Sequence, residues 1–328
     1  MANDTLYPAS GANSVSIIIP VKNGLPHFRA VCKSVSAQIY DAPFEVICID
    51  SGSTDGSDQI ALEYGFRLEK IEASTFGHGR TRNYGASLSR ADYLAFITHD
   101  AIPNDAFWLQ RLITPMREDP RIGGVFSRHV AHEGADPFVA WELAAHFDGL
   151  QNFPVVEITD RTAYDADQGL RQVYHYYSDN ASAMPRRIWQ IHPYPDVQFA
   201  EDQIWAKTIV EAGYRKAFAI HSVVRHSHSF GPLETLQRSF DESRAFRKLF
   251  GYRLADKPRS VLQSTVYLAS RDMGLAFREG WWRQWPLKTA SRLLESFTRP
   301  LGHYLGARDH LPDWLVRRLS RDDWIRNL

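Results

Sequence analysis

The chain has 328 residues and carries 38 basic and 38 acidic side chains, so its formal net charge is zero. A neutral chain lacks the positive field that a polyanion requires, which argues against nucleic acid as the main partner. Cys32 and Cys48 lie in apolar segments and predict buried thiols in a reducing compartment, hence a cytoplasmic protein. The opening residues lack a signal-peptide pattern, and no apolar run approaches the roughly 20 residues of a membrane span, so any membrane contact is expected to be peripheral.

Three apolar runs in the first hundred residues end in polar side chains. They occupy residues 15–23, 44–53 and 93–101. Ligands of an open α/β sheet bind at the carboxyl ends of its strands, so we expect these three ends to form one crevice. The first run predicts a central strand over residues 15–19, because it is continuously apolar or small and mostly β-branched. Pro20 is expected to end that strand.

Alternation of helices and strands continues after the first run. Phe28, Val31, Cys32 and Val35 recur at helical spacing, and residues 44–49 predict the second strand. Residues 71–73 suggest a third strand. A glycine-flanked basic stretch then leads into a helix of small residues, and a helix start beside basic side chains suits a phosphate group.

Three motifs in order carry a family resemblance. Residues 50–56 (DSGSTDG), 78–86 (HGRTRNYGA) and 96–101 (FITHDA) resemble those of the inverting glycosyltransferase family 2, and most closely its rhamnosyltransferase-like branch. The resemblance covers residues 14–235. It implies an α/β GT-A fold: a mostly parallel, doubly wound nucleotide-binding sheet with a smaller acceptor-side region, followed here by a helical C-terminal extension.

The resemblance assigns the donor site by position. Residues 20–23 and Asp50 match positions that hold the nucleobase and ribose, and Arg82 with Asn83 matches a pair that faces the base and the phosphates. A carboxylate can accept the N3–H of uracil or thymine, and a guanidinium suits phosphate. Taken alone, the segment that begins at Asp50 also fits an ordinary turn that caps a helix. Arg80 and Arg82 also fit solvated charges at the end of a helix. The full set expected at the donor is Pro20, Lys22, Asn23, Asp50, Ser51, His78, Gly79, Arg82, Asn83, Thr98 and His99.

The resemblance also implies a divalent metal, Mn2+ or Mg2+. The family's Asp-x-Asp motif matches residues 98–100, where Thr98 replaces the first carboxylate and Asp100 is the expected ligand. His226 lies where many members carry a metal-binding histidine and is favoured over His228, whereas His99 is not expected to bind the metal. An imidazole ligand favours Mn2+ over Mg2+. The alternative role for Asp100 is a cap of the helix predicted over residues 104–117.

The acceptor half has weaker local sequence patterns than the donor half. Residues 138–177 show poor periodicity and many loop signals, which predict an irregular, acceptor-facing insertion rather than sheet. Residues 178–187 resemble a segment that runs beneath the donor sugar toward the acceptor. Asp202 matches the general base, and the neighbouring Glu201 is expected to raise its proton affinity. The pair could instead only cap the helix that follows. A short strand is predicted over residues 215–220.

Arginine and tryptophan are frequent beyond residue 235. Residues 279–288 and 314–318 predict helices that lie on an anionic membrane surface, or that pack within the fold or against a second copy of the chain. Both readings remain open. The predicted divisions are a tail over residues 1–13, a catalytic domain over 14–235 with donor (14–127) and acceptor (128–235) halves, and a helical region over 236–328.

The resemblance therefore implies a metal-assisted inverting glycosyltransferase of polysaccharide biosynthesis in the cytoplasm, with peripheral contact at the inner face of the cell membrane left as an open alternative. Its donor is expected to be dTDP-β-L-rhamnose, and its acceptor a hydroxyl of a glycan or lipid-linked glycan. A UDP-hexose donor is the first alternative, and a non-catalytic nucleotide-sugar-binding protein is the second. A dinucleotide-dependent oxidoreductase is disfavoured because no G-x-G-x-x-G follows the first strand.

Overall fold

The computed structural model describes residues 9–321. The sequence-based predictions for the first eight residues lie outside the described residues. The described chain forms two compact units. The first contains residues 9–132 and 143–227, and the second contains residues 133–142 and 228–321. The domain limits expected from sequence, including the tail over residues 1–13, stay predictions.

The first half of the chain alternates strands with helices. Its elements are β1 (Val15–Val21), α1 (Phe28–Ser36), β2 (Phe44–Asp50), α2 (Ser57–Glu63), β3 (Arg67–Lys70), α3 (His78–Leu88), β4 (Tyr93–Ile97), β5 (Ile102–Pro103), α4 (Trp108–Glu118) and β6 (Ile122–Val130).

The remainder of the chain is mainly helical. Its elements are α5 (Pro137–Leu150), β7 (Val155–Val156), α6 (Arg161–Ala166), α7 (Gln168–His175), β8 (Ala181–Pro185), α8 (Arg186–Ile191), α9 (Glu201–Glu211), β9 (Arg215–Arg225), α10 (Pro232–Phe250), α11 (Pro258–Arg278), α12 (Trp281–Gln284), α13 (Pro286–Gly306) and α14 (Asp313–Leu319). None of the helices within residues 9–321 has the length and apolar character needed to cross a membrane.

One mixed sheet forms the centre of the first unit. Its strand order is β3-β2-β1-β4-β8-β6-β9-β5, and β7 pairs with β9. The pairings make β1, β2, β3, β4, β6 and β9 run in one direction and β5, β7 and β8 in the other. Parallel pairing of β1 with β2 and β4 places their carboxyl ends at the same edge, as the sequence predicts.

Side chains alternate between the two faces of this sheet and form two cores. Ile17 packs in one core with helices α1 and α4, whereas Ile18 packs in the other with Trp205 of α9. Both isoleucines are fully buried. The continuous apolar run of β1 is therefore explained by cover on both faces, as is usual for a central strand.

Two expected strand limits in the first hundred residues are wrong. β1 continues through Pro20 to Val21. Proline has no backbone N–H to donate, but β1 pairs with β4 only as far as Ile18, so Pro20 lies beyond that ladder and does not interrupt it. The third strand is residues 67–70 rather than 71–73. It is an edge strand with mainly polar side chains, so its sequence lacks the apolar run that marks β1 and β2 as strands.

Two expectations for the second half are also wrong. Residues 138–177 are not irregular, because α5, α6 and α7 occupy most of them. The sequence of α5 is apolar on nearly every side, which removes the helical periodicity. The strand expected over residues 215–220 extends to Arg225, since β6 pairs with it along that length.

Helices α10 and α13 pack closely in the second unit. A Cβ atom added at Gly306 of α13 would lie 2.2 Å from the carbonyl oxygen of Phe240 in α10, so no larger residue fits this crossing. Phe240 is fully buried there.

Candidate active site

The carboxyl ends of β1 and β2 are joined by direct hydrogen bonds. Asn23 Oδ1 accepts a bond from the backbone N–H of Thr54 (2.8 Å), and Ser53 Oγ accepts one from the backbone N–H of Asn23 (3.0 Å). Asp50, which is buried at the end of β2, accepts the backbone N–H of Ser53 at 3.0 Å. Two of the three predicted strand ends thus lie side by side and would form one wall of the expected crevice.

The other donor-site candidates in this wall differ in exposure. Pro20 and Ser51 are buried, and Ser51 donates its backbone N–H to Val21 O (3.0 Å). Lys22 and Asn23 are exposed. The two exposed side chains are therefore accessible to a ligand in the crevice.

Asp100 lies in the polar end of the third predicted run, just after β4, and approaches His226. Asp100 Oδ2 and His226 Nε2 are 3.6 Å apart, and their side chains are 16% and 12% exposed. Burial acts to raise the pKa of Asp100, but contact with His226 and the charge of His99 outweigh it and hold that pKa below its usual range. Asp100 is therefore ionised at neutral pH.

The backbone around this pair is set by neighbouring strands. Thr98 N–H donates to Asn180 O (3.1 Å), and His226 N–H donates to Val130 O (2.9 Å) at the end of β6. His129 packs edge-on against the His226 ring, and burial lowers the pKa of His129. Thr98 and His99 are partly buried, and His228 belongs to the second unit.

Arg82 lies in a buried ion cluster. Its side chain is 3% exposed; Nη2 donates to Asp179 Oδ1 (3.0 Å), and Nη1 donates to Glu201 Oε1 (3.3 Å) and to His78 O (3.1 Å). The sequence expectation was that this guanidinium would face phosphates. In the described structure its terminal nitrogens donate to two carboxylates and to His78 O, and the bond to Glu201 joins α3 to the start of α9. A role at the phosphates stays a prediction.

Asn83 and Gly79 also join α3 to the segment before α9. Asn83 Nδ2 donates to Tyr194 O (2.8 Å), and Asn83 Oδ1 accepts bonds from Trp189 Nε1 (2.9 Å) and Tyr194 N (3.1 Å). A Cβ atom at Gly79 would lie 2.3 Å from Pro195 O, so the close approach requires glycine. His78, at the start of α3, is exposed and packs edge-on against Phe76.

Asp202 lies in the first turn of α9. The preceding Ala200 has φ of 56°, a left-handed conformation that is costly for alanine and that fixes where the helix begins. Asp202 Oδ1 accepts the backbone N–H of Gln203 at 2.7 Å. Burial, followed by the charges of Asp179 and Glu201, raises the pKa of Asp202 well above its usual range.

Asp179 is a member of this cluster whose role the sequence did not reveal. It is 5% exposed, and its pKa is raised by burial and by the charge of Glu201, against the attraction of Arg82. One guanidinium thus faces three carboxylates, those of Asp179, Glu201 and Asp202. A buried group of this composition favours retention of a proton. The only available signal was the position of Asp179 within residues 178–187.

Comparison with known proteins identifies the family. The family model described as "Glycosyl transferase family 2" matches residues 16–186. The O-antigen chain rhamnosyltransferase RfbN of Salmonella typhimurium is 32% identical over 232 residues, which cover 69% of this chain and 70% of that protein. The chain belongs to glycosyltransferase family 2. A second relative, the O-antigen chain rhamnosyltransferase WbaN of Salmonella anatum, is 29% identical over 70% of each chain.

Solved structures confirm the expected GT-A fold for this family 2 glycosyltransferase. The mannosyltransferase PcManGT of Pyrobaculum calidifontis, solved with GDP-Man and Mn2+, superposes with a TM-score of 0.54 at 16% identity, covering 87% of this chain and 86% of that one. Glucosyl-3-phosphoglycerate synthase of Mycobacterium tuberculosis, solved with Mn2+ and UDP-glucose, gives 0.52 at 18% identity over 73% and 80%. The mixed, mostly parallel sheet and the helical C-terminal region agree with the prediction.

Proposed function

We propose that this glycosyltransferase moves L-rhamnose from dTDP-β-L-rhamnose to a hydroxyl of a cell-surface glycan, such as an O-antigen, capsule or exopolysaccharide, with inversion at the anomeric carbon. The observation that carries the proposal is the similarity to two O-antigen chain rhamnosyltransferases over about 70% of the chain. The acceptor is a growing glycan or its lipid-linked form.

The nucleotide of the donor lies along the joined ends of β1 and β2. Asp50 Oδ1 already accepts the N–H of Ser53. A carboxylate has a second oxygen, and Asp50 Oδ2 would accept the N3–H of thymine. Pro20, Lys22 and Asn23 border the ribose, and His78 lies toward the phosphates at the start of α3. Arg82 supports this site indirectly, by fixing α3 against α9.

Asp202 acts as the general base in this proposal. It takes the proton from the acceptor hydroxyl while that oxygen forms a bond to the anomeric carbon. The bond from that carbon to the phosphate oxygen breaks, and its electron pair leaves with the nucleoside diphosphate. A base must be deprotonated yet have appreciable proton affinity, and the raised pKa of Asp202 supplies that affinity.

Asp100 and His226 would hold the divalent metal. A carboxylate oxygen and an imidazole nitrogen 3.6 Å apart form a mixed donor set that suits Mn2+ better than Mg2+. A bound divalent ion stabilises negative charge on a leaving diphosphate. Asp100 supplies the ionised oxygen for this site, and Thr98 stands where other members of the family have a further carboxylate. Two solved structures of this fold were determined with Mn2+, which supports the assignment.

A donor panel tests the proposal. The full-length protein is incubated with dTDP-rhamnose, UDP-glucose or GDP-mannose, with and without Mn2+, and release of nucleoside diphosphate is measured. We expect release from dTDP-rhamnose at least tenfold faster than from the other donors, and only with the metal. Faster release from UDP-glucose would instead support a UDP-hexose transferase.

A further inference from the structure

Helix α13 is polar on its buried side and apolar on its exposed side. Its buried residues include Arg292, Glu295 and Ser296. Its exposed residues include Leu287, Leu293, Leu294 and Phe297, with exposed fractions of 85%, 46%, 60% and 48%. A helix that packs only on its own core has the opposite arrangement.

Ion pairs inside the second unit explain the polar side. Arg292 Nε binds Asp272 Oδ2 of α11 at 2.7 Å, and Arg292 Nη1 binds Glu295 Oε2 at 3.1 Å. Arg271 and Arg299 both bind Glu142, at 2.7 and 2.9 Å. Acidic side chains of this unit are thus neutralised in its interior, while the large apolar side chains of α13 face outward.

Helices α11 and α12 also expose large apolar side chains. Leu262, Val266 and Phe277 of α11 are 68%, 57% and 65% exposed and recur at helical spacing. Phe277 contacts the ring of Trp282 in α12 at 5.7 Å. We call the exposed apolar side chains of residues 262–297 in the second unit the apolar face; they are Leu262, Val266, Tyr267, Phe277, Trp282, Trp285, Leu287, Leu293, Leu294 and Phe297.

Exposed charges around the apolar face are mainly positive. Among residues 257–301 of the described chain, the exposed charged side chains are Lys257, Arg259, Arg278, Glu279, Arg283 and Lys288. Glu279 pairs with Arg278 at 2.9 Å, and Lys288 lies 3.6 Å from Asp136. Arg283 stacks on Trp282. Five exposed cations and one exposed carboxylate thus lie in the segment that carries the apolar face, and we call these cations its cationic border.

We propose that the apolar face docks this protein on an anionic lipid bilayer. Leucine and phenylalanine would enter the acyl boundary, the tryptophans would lie at the headgroup level, and the cations would meet lipid phosphates. At 21 residues α13 is about 30 Å long, enough to lie along the surface, and no described helix is suited to cross it. The cationic border distinguishes a bilayer from a second copy of this chain, which would bring the same positive charges together.

Vesicle flotation of the full-length protein tests the proposal. We expect binding to vesicles of phosphatidylglycerol and phosphatidylcholine in equal parts, and much weaker binding to phosphatidylcholine alone. The double variant Leu294→Gln/Phe297→Gln should weaken binding at least tenfold, because both side chains leave the acyl boundary. Arg259→Gln and Arg283→Gln should each weaken binding to the anionic vesicles by about fivefold.

The matched control is Leu62→Gln/Ile191→Gln, which changes two apolar side chains of the first unit with 58% and 64% exposure. It should bind vesicles like the unchanged protein. Equal binding to both vesicle types, or binding to neither, would contradict the proposal. A dimer in sedimentation velocity without lipid, dissociated by Leu294→Gln/Phe297→Gln, would assign the face to a second copy and overturn it.

Discussion

Arg82 and Asp179 are 97 residues apart in the chain, yet Arg82 Nη2 donates to Asp179 Oδ1 at 3.0 Å, with both side chains under a tenth exposed. Through its second nitrogen Arg82 also binds Glu201, the residue before the proposed base. Arg82 therefore fixes the position and the electrostatic surroundings of Asp202 together.

Removal of the Arg82 guanidinium should destabilise the protein. Arg82→Met leaves the buried carboxylates of Asp179 and Glu201 without their cation, and we expect a loss of about 3–5 kcal/mol in the free energy of unfolding. Arg80→Met is the control on the same helix, because the Arg80–Asp196 pair is more than half exposed and contributes less than about 1 kcal/mol. Urea unfolding measures both. Equal losses would show that the buried ion pairs of Arg82 stabilise the protein no more than the exposed Arg80–Asp196 pair does.

Asp202→Asn should stop sugar transfer and leave donor binding nearly unchanged. The amide cannot take the acceptor proton, so kcat should fall by about 10²–10⁴-fold. Transfer is followed by product formation and donor binding by calorimetry with dTDP. Asp196→Asn, at an exposed position, is the control. Near-normal transfer by Asp202→Asn would exclude Asp202 as the base.

Asp179→Asn should move the acid limb of the pH–rate profile to lower pH. The charge of Asp179 helps to raise the pKa of Asp202, so its removal allows Asp202 to lose its proton at lower pH. The measurement is kcat/KM across the acid range, compared with the unchanged enzyme. A profile that keeps its position, or moves to higher pH, would contradict the coupling.

Asp100→Asn should weaken Mn2+ binding by at least about tenfold, because it removes the ionised oxygen from the proposed ligand pair. Free Mn2+ is measured by electron paramagnetic resonance in the presence of dTDP. Asp105→Asn is the control: Asp105 is 40% exposed and paired with Arg111. Unchanged Mn2+ affinity in Asp100→Asn would move the metal site elsewhere.

Stability should fall in mild acid because of His175. Burial, and then the charges of Lys207 and Lys216, lower the pKa of His175 from 6.5 to about 3. The neutral ring therefore contributes stability above pH 6.5, which is lost progressively as the pH falls from 6.5 towards 3. Between pH 7 and 5 this loss is on the order of 2 kcal/mol.

His175→Gln should reduce this acid sensitivity, as measured by urea unfolding at pH 7 and pH 5. Glutamine does not titrate but can still bond to Tyr164, whose hydroxyl lies 2.6 Å from His175 Nε2. An equal loss of stability in the variant and the unchanged protein would assign the acid sensitivity to other groups.

The strands whose carboxyl ends form the proposed nucleotide site were predictable from local pattern. β1 and β2 are continuous apolar runs because both faces of the sheet are covered, and polar residues follow where that cover ends. The meeting of Asn23 with Ser53 and Thr54 follows from parallel pairing. The edge strand β3 and the helix α5 were not predicted correctly, because one lacks an apolar run and the other lacks a polar side.

The sequence by itself determined the family motifs and the positions of β1 and β2, and its family resemblance supplied the candidate base and metal ligands. Only the tertiary structure decided which carboxylates share Arg82, and that the apolar side of α13 faces outward. The physical reason is that periodicity reports which residues share a side of a helix, but not what that side meets. Ion pairs between residues about a hundred positions apart likewise depend on the packing of α3 against α9, which no local pattern contains.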